Sequence, residues 1–324
     1  MISLNTVSFF VPVQADLQEV EILLHTQAEH AQPDLRAALE HLLSSGGKRI
    51  RPVVGLLTGQ MLSAPHDKLI SLAAAVEMLH TATLVHDDLI DGALLRRGMP
   101  TLNARWSPAA TILTGDYMFA RAAKLAAETD TLPLMKLFAE TLAIIVNGEL
   151  TQLFASRGVI SRENYSKRIY AKTASLFEMA TRAAAMVSPV DEPVAEAMRQ
   201  YGYNLGMAFQ IVDDILDFTG EQQTVGKPVG SDLLQGLVTL PAIYYAEAHP
   251  NDPDVLCLTG GCYTEQERME RLVQSIRGSR ATSKSMKEAQ TFIDKALDIL
   301  KTMPIGEEHQ ALEDLASYIV NRNI

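Results

Sequence analysis

Cysteine is scarce in this 324-residue chain: Cys257 and Cys262 are the whole complement. Two thiols give no disulfide framework, and such sparing use fits a reducing, cytoplasmic compartment. Basic charge is also short, with 28 Lys+Arg against 39 Asp+Glu and a net charge of −11. That sign excludes the broad basic footprint of a nucleic-acid binder, so no nucleic-acid partner is expected. A local basic pocket remains compatible with it. No apolar stretch is read as approaching the roughly 18 residues of a membrane-crossing helix. The chain is therefore expected to be soluble, with no transmembrane segment. Its start has a short apolar patch (Val7, Phe9, Phe10, Val11) but neither a basic region nor a small-residue cleavage site. Residues 1–15 are expected to be a docking arm and not a signal peptide. A Ser-His-Asp arrangement, a zinc cluster and a phosphate-cradling glycine loop find no support in the spacing.

What is abundant is apolar residues, at 47%, enough for a sizeable core and too many for a disordered chain. Their spacing is helical almost throughout. Pro33 opens a helix from Asp34 to Leu43 that Gly46-Gly47 stops. Further helices are predicted over about Lys68–Asp91, Ala109–Glu128, Pro133–Phe154, Arg162–Val187 and Asp191–Phe218. Thr264 and Glu267 suggest a capping box for a late helix, and two more follow to Arg322. Residues 219–236 read as a mobile loop and 249–262 as a second loop. With no low-complexity linker between helices, the expectation is one all-α domain over 1–324.

Two near-identical pentapeptides stand out: Asp87-Asp88-Leu89-Ile90-Asp91 and Asp213-Asp214-Ile215-Leu216-Asp217. Each ends an apolar helical run, so neither reads as an ordinary solvated face. On a helix, i and i+4 share a face and i+1 lies close to i+4. Each motif thus offers two carboxylates in one direction and a third beside them. Such groups raise one another's pKa unless a cation joins them. Oxygen-only donors point to a hard divalent ion, and Mg2+ commonly combines one or two carboxylates with substrate phosphates.

Cations gather near these carboxylates. Lys48, Arg49 and Arg51 surround a Gly-Gly turn, more than capping a helix end requires. Arg96 and Arg97 follow the first motif, and Lys172 and Lys227 lie in apolar or glycine-rich surroundings. His80 stands two turns before Asp87 on its face, and Gln210 one turn before Asp213. An acidic chain that concentrates cations beside metal-binding carboxylates is suited to diphosphates.

The ordered motifs resemble the trans-type isoprenyl diphosphate synthases, or polyprenyl synthetases. They are Gly46-Gly47-Lys48-Arg49-Ile50-Arg51-Pro52, His80 through Asp91, Arg96-Arg97-Gly98, Gly115-Asp116-Tyr117, Lys172-Thr173-Ala174, Ala208 through Asp217, Gly226-Lys227 and Gly230-Ser231-Asp232-Leu233. The resemblance implies a single-domain isoprenoid-synthase-type helical bundle around a deep central cavity, usually a homodimer. It implies a prenyltransferase that condenses an allylic diphosphate with isopentenyl diphosphate into an all-trans polyprenyl diphosphate. Asp87, Asp91 and Asp213 would ligate three Mg2+ ions, with Asp88, Asp214 and Asp217 acting through water or as supports. Arg96, Lys172 and Lys227 would meet the allylic diphosphate. Lys48, Arg51, His80 and Arg97 would hold isopentenyl diphosphate. Thr173 and Gln210 would line the reacting centre.

Two positions bear on product length. Where many short-chain members carry a lysine, this chain has Leu237. Ala82 lies about 7.5 Å behind Asp87 along the helix axis, where short-chain members often have Phe or Tyr. With Thr83 and Leu79 it would leave a passage for a growing tail, so products of C20 or longer are expected. The reading leaves room for a peripheral membrane contact at product release. Two alternatives are a class I terpene cyclase and a non-catalytic or regulatory subunit of a heteromeric synthase.

Overall fold

The computed structural model describes residues 8–29, 31–44, 46–96, 98–155, 157–220 and 229–322. Arg97 and Lys227 lie outside the described residues. The described chain falls into two compact units. One comprises the described parts of Met1–Thr141, with Leu176–Gly202 and Thr302–Asp314. The other comprises Leu142–Ser175, Tyr203–Lys301 and Leu315–Ile324, again in their described parts. Each is helical, as the apolar spacing predicts.

In the first unit a 3-10 turn, Ser8–Val13, buries Phe9, Phe10 and Val13, so the described part of the expected arm is docked by its aromatic residues. Helices α1 (Gln14–Thr26), α2 (Pro33–Ser44), α3 (Ile50–Met61) and α4 (His66–Ile90) follow. Helix α3 was not anticipated. The Gly46-Gly47 turn reads as a stop, yet the chain restarts at Ile50 with Pro52 in the first helical turn, where its missing N–H is harmless. At Gly59 an added Cβ would lie 2.4 Å from Leu69 Cδ1, so glycine is what lets α3 approach α4. Helix α4 buries residues on every side, the signature of a core helix apolar all round. Its main partner is α6 (Pro108–Ala127), which starts at an Ser107 cap with Pro108 behind it. Before α6 come a two-residue strand pair, Leu95–Arg96 with Met99–Pro100, and α5 (Leu102–Arg105).

Helix α7 (Leu132–Phe154) leads to the second unit, where α8 (Arg162–Ile169) passes into a π turn, Tyr170–Ala174; α9 (Ser175–Val187) follows, and from Leu176 on it is counted with the first unit. The single helix expected over Arg162–Val187 is thus continuous, widened by a π turn around Lys172-Thr173. Helix α10 (Glu192–Thr219) carries the second aspartate motif. Then come α11 (Ser231–Leu234), α12 (Leu240–Ala248), α13 (Pro253–Thr259), α14 (Gln266–Arg277), α15 (Ala281–Leu300) and α16 (Glu307–Asn321).

Four expectations are corrected. The 249–262 loop contains α13, whose N-cap Asp252 accepts from the Asp254 and Val255 amides; seven residues are too few for a periodic signal. Thr264 is not the cap: Glu265 is the N-cap of α14, with no side-chain capping bond, and its carboxylate pairs with Arg268 instead. Cys257 and Cys262 form a disulfide, with Cα atoms 5.1 Å apart. The Gly260-Gly261 turn folds the chain back over that short span, with Gly261 at φ 89°. Finally, two helices are long and apolar enough to cross a membrane by length and composition. His66–Ile90 is mostly buried inside the protein, whereas Leu132–Phe154 is mostly uncovered.

Candidate active site

The first aspartate motif ends α4. Asp87 is half-buried, Asp88 is buried, and Asp91 caps the helix in the open. Asp88 Oδ1 accepts bonds from Arg96 Nε and Nη2, both at 2.8 Å. The strand pair after α4 is what folds Arg96 back onto the helix it follows. His86 turns away from the carboxylates: its Nε2 lies 3.1 Å from Ile112 O and 3.6 Å from Asp116 Oδ1. An added Cβ at Gly115 would lie 2.3 Å from that ring. The Gly115-Asp116 pair therefore reads as a seat for His86.

A basic corner forms in the same unit. Arg51 Nη1 lies 3.1 Å from His80 Nε2, and its guanidinium sits 5.0 Å from the Phe177 ring centre, within cation–π range. Lys48 is exposed, while Arg49 is buried. The structure thus joins Arg51 and His80, which the sequence keeps a helix apart. Further along α4, Leu79 and Ala82 are fully buried and Thr83 is partly so.

The second motif lies inside α10 and has different neighbours. Thr173 Oγ1 donates to Gln210 Oε1 at 2.6 Å. Gln210 Nε2 donates to Asp214 Oδ1 at 2.8 Å, and the Tyr165 hydroxyl donates to Asp214 Oδ2 at 2.8 Å. Burial, with the Asp232 charge beside it, pushes the Asp214 carboxyl up to about 7 against the pull of those donors. Asp213 Oδ1 pairs with Arg322 Nη2 at 2.9 Å. Asp217 accepts from the Ser231 amide and hydroxyl at 3.1 and 2.8 Å and from the Asp232 amide at 3.3 Å. Lys172, on the π turn, is exposed with Nζ 3.9 Å from Glu149 Oε1. Such turns recur at functional sites. Leu237 lines a cavity of about 390 Å3 with Gln152, Arg168 and Tyr170 among its walls.

Tyr165 and Arg322 were missed by the sequence reading. Each meets its aspartate from a distant chain segment, and neither sits in a motif that marks chemistry. Both motifs supply carboxylate oxygens, the donor type of a hard divalent cation. Buried Asp214 already serves Gln210 and Tyr165, and Asp217 accepts from Ser231 and Asp232, so the donor best suited to an ion there is Asp213, whose side chain is partly exposed.

Acidic helices with cations at their flanks, in an all-α fold, define a protein built to handle diphosphates. The profile of the polyprenyl synthetase family matches residues 32–276, and this chain belongs to that family, the trans-type isoprenyl diphosphate synthases. It is a prenyltransferase with the all-α isoprenoid-synthase fold, which sets aside the terpene-cyclase alternative. It is 38% identical over 309 residues to heptaprenyl diphosphate synthase component 2 of Geobacillus stearothermophilus, covering 95% of this chain and 96% of that one. It is 35% identical to octaprenyl diphosphate synthase of Haemophilus influenzae, over 95% of this chain and 94% of that one. Among solved structures, it is similar to a polyprenyl synthase from Caulobacter crescentus CB15 complexed with calcium and isoprenyl diphosphate. There the TM-score is 0.90 at 36% identity, covering 99% and 98% of the two chains.

Proposed function

We propose that this prenyltransferase adds isopentenyl units head to tail to an allylic diphosphate and releases an all-trans polyprenyl diphosphate of C30 or longer. The observation that carries the reading is the pair of aspartate pentapeptides on apolar helices. The names of the relatives, heptaprenyl and octaprenyl diphosphate synthases, support the length. Asp87, Asp91 and Asp213 hold Mg2+, three ions in all, and Asp88, Asp214 and Asp217 support them. When bound, the metal supplies Lewis-acid neutralisation of the leaving diphosphate.

The chain's own groups do the rest. Arg96, Lys172 and Lys227 hold the allylic diphosphate and stabilise the charge it gains as its bond to carbon breaks. In this reading Arg96 serves both the buried Asp88 carboxylate and the substrate. Lys48, Arg51, His80 and Arg97 hold isopentenyl diphosphate. Gln210, fixed in orientation by Asp214, and Thr173 present dipoles to the reacting carbons. The growing tail passes Ala82, Thr83 and Leu79. A homodimer suits the apolar stripe that α7 leaves uncovered, in which Val146, Leu150, Leu153 and Phe154 are exposed; exposed apolar faces of this kind commonly meet a partner or a membrane. A second reading, an obligate partner of a separate subunit, is favoured by the word "component" in the names of two relatives.

The test is the chain alone with isopentenyl diphosphate, farnesyl diphosphate and Mg2+, with products read by mass spectrometry. Products of C30 or longer are expected, and none without a second protein would favour the heteromer. With geranyl diphosphate as the primer, Ala82→Tyr should keep activity and shorten the product to C15 or C20, because an aromatic ring overpacks a passage that cannot widen without moving a helix. An unchanged length distribution would show that the tail does not pass Ala82.

A further inference from the structure

Three cations cluster around the Gly46-Gly47 turn, but they do not share a task. Lys48 is exposed and Arg51 reaches His80, whereas Arg49 is folded into the interior with 8% of its surface exposed. Its backbone is left-handed, with φ 48° and ψ 30°, and it stands at the N-cap of α3. A non-glycine residue persists there only when its surroundings over-determine it. They do so here through the guanidinium fork. Nε and Nη2 bond the Glu21 carboxylate at 2.6 and 3.1 Å. Nη1 bonds Glu77, and Nη2 also points at Leu43 O, 3.4 Å away. One side chain thereby fixes the turn to α1, to the end of α2 and to α4.

Glu77 is the telling partner. It is buried, with 4% of its surface exposed, and stands one helical turn before His80 on α4. Burial raises its carboxyl, and the Arg49 charge opposes that rise. The residue before Arg49 is Lys48, and the residue two beyond it is Arg51, which meets His80. The twist at Arg49 therefore sends Lys48 outward and Arg51 towards α4, and the Glu77 bond sets the turn's height along α4. As a source of stability alone, a buried ion pair has little advantage over well-packed apolar side chains.

We propose that the Arg49–Glu77 pair is a positioning device for the isopentenyl diphosphate site. It locks the turn so that Lys48, Arg51 and His80 converge on one diphosphate. The inference rests on the assignment of those three residues to isopentenyl diphosphate. Arg49 and Glu77 themselves touch no substrate in this scheme.

Steady-state kinetics on the full chain test it, varying each substrate in turn. Arg49→Lys keeps the charge but cannot fork, and Glu77→Gln keeps the shape but loses the ion pair. In each variant KM for isopentenyl diphosphate should rise about tenfold, while KM for the allylic diphosphate and kcat stay within about twofold, the pattern of lost ground-state binding at one site. Circular dichroism and Tm show that the variant is folded; if Glu77→Gln does not fold, Arg49→Lys carries the same expectation. A folded variant with an unchanged KM for isopentenyl diphosphate, or with both KM values raised alike, overturns the inference. Arg51→Ala is the control. If it leaves that KM unchanged, the substrate assignment has failed and the inference falls with it. If it raises that KM while the Arg49 and Glu77 variants do not, the assignment stands and only the positioning role is lost.

Discussion

The two aspartate motifs share a pattern and differ in nearly everything around it. In both, the middle aspartate is buried: Asp88 and Asp214 are 6% and 4% exposed. Asp88 is held by a cation, Arg96, whereas Asp214 is held by two neutral donors, Tyr165 and Gln210. The last aspartate differs as well. Asp91 ends its helix in the open, while Asp217 is tied to the amides that begin α11. One repeated pentapeptide has thus been given two supports. A cation favours the charged form of a buried carboxylate, whereas at Asp214 burial and the Asp232 charge raise the affinity for protons and the two neutral donors only partly offset them. The first motif seats its buried carboxylate on a cation. The second orients Gln210 through an aspartate that can carry a proton.

The comparison breaks first at the outer aspartates. Asp87→Asn and Asp213→Asn should each lower kcat at saturating Mg2+ at least about 10²-fold, the scale of losing one group that stabilises transition-state charge. Near wild-type turnover in either variant would end the functional equivalence of the motifs. Chelation of divalent ions should abolish turnover in the unmodified chain, with recovery on adding Mg2+.

A smaller effect separates the two supports. Arg96→Met leaves Asp88 buried without its cation. Because Arg96 is itself partly exposed, the expected loss is about 1–2 kcal/mol in urea unfolding. Adding Asp88→Asn should restore most of it; no restoration would mean that Arg96 stabilises the fold by packing and not by charge.

The second support should respond to pH instead. Asp214 has a folded value of about 7, above an unfolded value near 3.9, so the folded protein binds the extra proton between the two. Its contribution is fully present below the unfolded value and is lost as pH rises through about 7. Metal-free protein should therefore gain stability from pH 8 to pH 5, and Asp214→Asn should flatten that gain. The smallest change is expected for Tyr165→Phe, which removes one of two donors and should cost about 1 kcal/mol. A loss matching that of Arg96→Met with no dependence on pH would contradict the distinction between the motifs.

Much of this was legible in the chain. Helices α4 and α10 were marked to within a few residues, α10 by the period-3.6 apolar stripe that a half-buried helix must repeat and α4 by an apolar run too long for a strand. The aspartate motifs were legible because paired carboxylates in apolar surroundings have few other uses. Elements set by one or two residues were not legible. Helix α3 depends on Arg49 taking a left-handed backbone against two carboxylates, and no local pattern announces that. Helix α13 is a single capped turn pair, and the strand pair at Leu95–Arg96 is too short to show alternation.

The sequence by itself determined the helical class, the acidic motifs and the family, since each is written in residue type and spacing along one stretch of chain. Only the tertiary structure decided which cation serves which carboxylate. Arg49, Arg96 and Arg322 are chemically alike, yet one locks a turn, one neutralises Asp88 and one pairs with Asp213. The strength of such a contact depends on distance and burial, and those arise from packing between segments far apart in the chain.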